Sequence, residues 1–135
     1  MATTATGTVE NKSWDQTPYA DVDGATTIAV ATGQDRYHGD IEGDAEWRGL
    51  TIAEPDGSGT FHSVQRMTCT IAGSSGSFVL RMSGVFDPEG SRADWEVVPG
   101  SGTGELAGIT GTGGFDAEGE SATYTLAYSL GDGSQ

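Results

Sequence analysis

The chain has 135 residues, the length of one domain able to bury one hydrophobic core. Its 20 acidic side chains outnumber 6 lysines and arginines, and the resulting formal charge of −14 repels nucleic-acid phosphates and anionic membrane surfaces, so neither nucleic acid nor membrane is an expected partner. Twenty-two glycines, abundant threonine and serine, and the lack of a long segment at helical period argue against an α-helical protein and for an all-β chain with many turns.

The first alternating stretch runs from about Ala5 to Asp15, with Val9, Asn11 and Ser13 on one side and Thr8, Glu10, Lys12 and Trp14 on the other. Trp14 to Pro18 breaks that period. Asp21-Val22-Asp23-Gly24 consists of residues that tolerate left-handed backbone, which predicts a turn and then a second strand from about Ala25 to Arg36. From His38 to Arg48 the alternation is the cleanest in the chain. His38, Asp40, Glu42, Asp44, Glu46 and Arg48 take one face and Gly39, Ile41, Gly43, Ala45 and Trp47 the other, as in a strand with one side in water and one on a core.

Pro55 to Gly59 reads as a turn, and Thr60 to Ile71 resumes with Phe61, Ser63, Gln65, Met67, Cys69 and Ile71 on the inward side. After a turn at Gly73-Ser74-Ser75-Gly76, the strand from Ser77 to Phe86 places Phe78, Leu80, Met82, Gly84 and Phe86 on one face. Val79 and Val85 fall on the other face and call for a cover, either a chain segment or a second subunit. Arg92 to Val98 is a further strand. Glycine then occupies seven of the eighteen positions of VPGSGTGELAGITGTGGF (Val98 to Phe115), which predicts a tight turn, an irregular connection and re-entry into a strand. Phe115 to Glu118 leads to a last strand in which Ala122, Tyr124, Leu126, Tyr128 and Leu130 alternate with small residues.

About eight antiparallel strands at this spacing form a sandwich or a closed barrel, and closure removes exposed edges while glycines ease strand bending. The expected fold is therefore a single closed eight-stranded β-barrel domain over residues 1–135, with Val9, Ile41, Trp47, Phe61, Met67, Phe78, Leu80, Met82, Phe86, Tyr124, Leu126 and Tyr128 inside. Cys69 is alone, so no internal disulfide forms, and it reads as a buried small hydrophobe in a reducing compartment. The first residues, MATTATGTVENKSWD, lack a basic segment followed by an apolar core, and no stretch approaches the roughly 18 apolar residues that span a bilayer. The expected location is cytoplasmic.

The stretches ATGTVENKSWDQTPY (from Ala5), YHGDIEGDAE (from Tyr37), SVQRMTCTIAGSSGSFVLRMSG (from Ser63), the glycine-rich run and ATYTLAYSL (from Ala122) resemble a bacterial domain-of-unknown-function family of small barrels related to allene oxide cyclase. GTGELAGITG (from Gly102) is similar to the glycine-rich turn of allene oxide cyclases and dirigent proteins. The resemblance implies a barrel that encloses a small apolar molecule. Where members of the family commonly have Glu-Arg and Gln-His, this chain has Gln65-Arg66 and Arg81-Met82, and Asn11 replaces a usual apolar residue. If the family has an ancestral acid/base pair at those positions, this chain has lost it.

Motifs for other chemistry are weak. The row Asp40, Glu42, Asp44 and Glu46 has same-face neighbours about 7 Å apart, within range of paired acid/base work, but reads better as a solvent-facing strand blunted by charge. His38, His62 and Cys69 have no metal-ligand spacing, Asp21-x-Asp23-Gly24 is only a fragment of a calcium loop, and no nucleophile elbow or phosphate loop occurs. No metal or cofactor is expected. The remaining candidates are inward polar groups, Asn11, Gln65 and Tyr124, which could orient a substrate, and a ligand-contacting set of Trp14, Trp47, Phe61, Ser63, Met67, Phe78, Leu80 and Met82. They suit a cofactor-independent isomerase or cyclase acting on a small apolar metabolite, or alternatively a non-catalytic binder or carrier of such a molecule. A third reading is a structural or assembly protein with a dry interior, and homo-oligomerisation fits all three.

Overall fold

The computed structural model describes residues 3–22, 26–118 and 121–130. Eight antiparallel strands pair in sequence order and close as a barrel: β1 (Thr3–Val22), β2 (Thr26–Gly39), β3 (Ile41–Ala53), β4 (Gly59–Ile71), β5 (Ser74–Asp87), β6 (Gly90–Val97), β7 (Thr110–Glu118) and β8 (Ser121–Ser129). The one helical element among the described residues is a short 3₁₀ turn, Gly104–Leu106. The all-β closed barrel with little helix is thus the architecture that the alternation and the glycines imply.

Among the described residues, closure between β1 and β8 uses Thr3 to Thr8 of β1. The remainder of β1 pairs with β2 alone as far as Val22, and β2 and β3 stay paired to Thr27 and Ala53, so one wall stands higher than the wall formed by the shorter β6, β7 and β8. The sequence break at Trp14 to Pro18 does not end the first strand as expected. Two register shifts, between Asn11 and Ser13 and between Pro18 and Ala20, absorb extra residues as bulges, and Pro18 is tolerated because β1 has a partner on only one side there. The first bulge has a consequence for the interior. Lys12 is the extra residue, so Trp14 and Gln16 change sides and join Val9 and Asn11 facing the lumen, while Ser13 leaves it.

Two turns also differ from expectation. The stretch His38 to Arg48 is not one strand, because the chain reverses at Gly39-Asp40, with Gly39 at φ 108°. The β4–β5 reversal occupies Ala72-Gly73 rather than Gly73 to Gly76, with φ 52° and 85°, the pair of positive values of a two-residue hairpin turn. The turn expected at Asp21 to Gly24 extends outside the described residues.

One half of the barrel is solid. Ile41, Met67, Cys69, Ile71, Phe78, Leu80, Val97, Leu126 and Tyr128 fill it, and the glycine-rich connection caps its end with Leu106 and Ile109, both buried. The connection is held on β5 by backbone and side-chain bonds: Thr103 N–H donates to the Ser77 carbonyl, Ser101 Oγ accepts from Val79 N–H, and Glu105 accepts from Ser75 N–H. A Cβ on Gly76 would collide with Thr103, which shows how closely the cap approaches the sheet. This segment also accounts for the half-burial of Val79, whereas Val85, Val64 and Leu50 remain exposed on the outer face.

Candidate functional site

The other half of the barrel holds a cavity of about 440 Å³, opening toward the end at which β3 passes into β4 and β5 into β6. Its apolar walls are Val9, Trp14, Ala31, Trp47, Phe61, Met82, Phe86 and Phe115, and its polar groups are Asn11, Gln16, Asp35, Tyr37, Ser63, Gln65 and Ser91. Volume and lining are those of small-molecule sites, concave and mostly apolar with a few placed hydrogen-bonding groups. A wider depression of about 960 Å³ on the outer face, across Arg48, Val64, Arg81 and Glu96, is shallow and open to solvent, with an Arg81–Glu96 ion pair of 3.5 Å on it. The inner cavity is more enclosed and offers aromatic walls.

A row of aromatic rings runs from the cavity wall into the core. Phe86, Phe61, Phe115, Trp95, Tyr37 and Tyr124 follow one another with ring centroids 5.2–6.4 Å apart, a spacing at which tilted or stacked rings attract. Glycine makes room for it: the Trp47 indole covers Gly33 of β2, and the Phe61 ring covers Gly84 of β5, where any Cβ would strike the ring. Trp14 and Trp47 flank Gly33 from either side on three adjacent strands, with Trp14 60% exposed at the open end.

At the deep end, Gln65 and Tyr37 are buried, and Gln65 Nε2 donates to the Tyr37 hydroxyl at 2.7 Å. Burial pushes the Tyr37 phenol up, so it stays protonated and keeps its own O–H for donation. Two residues further along β2 on the same face lies Asp35. Asn11 Nδ2 donates to Asp35 Oδ1 at 2.8 Å, and the Trp47 indole hydrogen-bonds the same carboxylate. Burial raises the Asp35 carboxyl above its ordinary value, and the two hydrogen bonds only partly oppose that.

The structure brings together at this cavity Asn11, Trp14, Trp47, Phe61, Ser63, Gln65 and Met82. Met67, Phe78 and Leu80 are instead sealed in the solid half, without exposure and away from the cavity lining. Tyr124 is likewise outside it. Its hydroxyl accepts from Ile41 N–H at 2.9 Å and donates to the His38 carbonyl at 3.0 Å, bracing the β2–β3 reversal that the sequence hid. Burial raises its phenol too. The carboxylates Asp40, Glu42, Asp44 and Glu46 are exposed on the outside. Among the described residues no group of three or more His, Cys, Asp or Glu side chains is placed to hold a metal ion, and no helix is long and apolar enough to cross a membrane.

Asp35 and Tyr37 are absent from any reading of the sequence alone, because β2 alternates alanine and glycine inward and offers no apolar period. The available signal was Tyr37 itself, a large aromatic two residues from an acid and opposite Val9.

The family described as "Protein of unknown function (DUF3224)" matches residues 5–128. Among solved structures, a protein with unknown function from that family in Shewanella oneidensis MR-1 superposes with a TM-score of 0.80 at 26% sequence identity, covering 96% of this chain and 98% of that one. No curated protein matches the chain. Since the family match runs from β1 to β8 and takes in both the solid half and the cavity, this chain belongs to the DUF3224 family.

Proposed function

We propose that this protein binds or carries a small, mostly apolar molecule in the open half of its barrel. The supporting observation is the asymmetry of the interior: one half is packed with aliphatic side chains, while the other keeps an aromatic-walled cavity of about 440 Å³ with polar groups placed along it. Native interiors are close-packed, so an unfilled apolar space of this size is expensive to keep unless a ligand occupies it.

A second reading, a cofactor-independent isomerase or cyclase, is favoured by one observation. Asp35 and the Tyr37–Gln65 pair put a desolvated acid and a neutral hydrogen-bond donor on one cavity, the parts needed to orient a reactive conformer and meet one developing charge. The resemblance to allene oxide cyclases supports the same chemistry. Asn11 and Gln65 orient the substrate in this reading, and Tyr124 acts on it only indirectly, through the β2–β3 turn. We also read the protein as a cytoplasmic homo-oligomer, with exposed Leu50, Val64 and Val85 as contact residues.

Titration with a neutral naphthalene probe, followed through the emission of Trp14 and Trp47, tests the binding reading. Saturable binding that is lost in Ser63→Trp and in Ala117→Phe, which fill the cavity from different strands, is the expected result. Binding unaffected by both fillings overturns it. Chemical conversion of a bound compound would move the conclusion from carrier to enzyme.

A further inference from the structure

Among the described residues, Asp35 is an acid with no cation beside it. The groups acting on its carboxylate are Asn11 and Trp47, both neutral. Its neighbour Arg36 points outward and pairs with Asp44 at 3.0 Å. A half-buried carboxylate normally gains a basic partner or sits where water reaches it, because desolvation of its charge is otherwise uncompensated. Asn11 and the Trp47 indole supply two hydrogen bonds, and an ionised carboxylate has about four lone-pair sites, so the group retains capacity to accept from a donor inside the cavity.

The surroundings of Asp35 also suit positive charge. Across from it on β3 is Ala45, a small apolar side chain with no group that could pair with the carboxylate. Trp14 and Trp47, one pair of positions nearer the open end, present indole rings, the strongest natural cation–π partners. The rest of the cavity wall is apolar and aromatic. The chain as a whole carries a formal charge of −14, a field that concentrates cations and repels anions.

Resting on the cavity-binding reading above, we propose that the ligand is a small amphipathic cation: an apolar body lying among Phe61, Phe86 and Phe115, and an ammonium or similar N–H-bearing head group held by Asp35 between Trp14 and Trp47. The carboxylate lowers the free energy of the bound ammonium by charge-assisted hydrogen bonding, and the ammonium relieves the unpaired buried charge of the protein.

Three probes of nearly equal shape separate this proposal from the reading beneath it: naphthylethylamine, naphthylethanol and naphthylacetate, each titrated calorimetrically at neutral pH into the wild-type protein, Asp35→Asn and Asp35→Ser. The amine should bind the wild type at least about tenfold more tightly than the alcohol, and the acetate should bind more weakly than either. Both variants should lose the preference and bind amine and alcohol alike, and their measurable binding of the alcohol shows that they are folded. Equal binding of amine and alcohol by the wild type, tighter binding of the acetate, or a preference for the amine that survives in both variants overturns the cation assignment and leaves the cavity reading intact. Failure of all three probes to bind the wild type overturns both.

Discussion

Removing one partner of the Gln65–Tyr37 hydrogen bond should cost more than its net worth, and removing both should restore part of the loss. The two side chains are 2% and 1% exposed and meet at 2.7 Å, so neither has bulk water as a substitute partner. Tyr37→Phe leaves the Gln65 amide without its acceptor, and Gln65→Met, close in volume, leaves the phenol without its donor. Each orphaned buried group should destabilise the fold by about 1–3 kcal/mol. The double variant orphans neither, so its cost should fall short of the sum of the singles by about 1 kcal/mol or more. For a chain of this length the singles should lower the melting temperature by roughly 3–9 °C. Urea denaturation of the four proteins, followed by far-ultraviolet circular dichroism, completes the cycle. Costs that add without coupling, or single costs below about 0.5 kcal/mol, would refute the reasoning and show that water in the cavity satisfies whichever group is left.

Asp35→Asn should stabilise the protein at neutral pH. Because the folded-state pKa is raised, the native state binds the extra proton between the ordinary aspartate value and the raised one, so wild-type stability falls as pH rises through that window and stays low above it. The advantage of the variant in melting temperature should therefore be full at neutral pH, shrink as pH falls through the raised value and be gone by about pH 4, and a variant less stable than wild type at pH 7 would contradict the burial argument. Tyr124→Phe should cost about 1–3 kcal/mol by stripping Ile41 N–H of its acceptor, while probe affinity in the cavity stays unchanged; a loss of affinity without loss of stability would return Tyr124 to the ligand site. Ala72→Gly should stabilise the protein by about 0.5–1 kcal/mol, since φ 52° strains any residue with a Cβ, and an unchanged denaturation midpoint would mean the turn is not held in that conformation. Cys69 is buried and its thiol is pushed up to about 12, so thiol reagents should label it only on unfolding, and rapid labelling of the native protein would be inconsistent with that placement.

Where a strand keeps its period from end to end, its faces were legible. Residues Phe61, Ser63, Gln65 and Met67 on β4, and Phe78, Leu80, Met82 and Phe86 on β5, point inward as their alternation requires, because no bulge interrupts either strand and a period of two leaves only two choices of face. The glycine-rich run was legible as a tight, irregular connection for the same local reason, since Gly100, Gly104 and Gly108 adopt positive φ, but its role as a cap on the solid half was not. Trp14 shows the limit of such reading. One inserted residue, Lys12, reverses the side on which everything after it lies, and nothing in the local pattern distinguishes a bulge from an ended strand. His38 to Arg48 shows another, for the alternating pattern keeps its phase across the reversal, in which Tyr37 pairs with Gly43 and an odd number of residues lies between two that face the same side.

Alternation, glycine content and charge were enough by themselves to determine an acidic, all-β chain of about eight strands and to favour closure over a sandwich, since period-two burial and strained turns are properties of neighbouring residues. Which inward residues are core and which are cavity wall was decided only in three dimensions. Met67 and Gln65 are two positions apart on one strand, yet one is locked in the solid half and the other faces the cavity, because the difference depends on what the far wall of the barrel contributes. Asp35 became a candidate in the same way: its partners Asn11 and Trp47 come from strands on either side, and the pairing of β1, β2 and β3 alone puts them around one carboxylate.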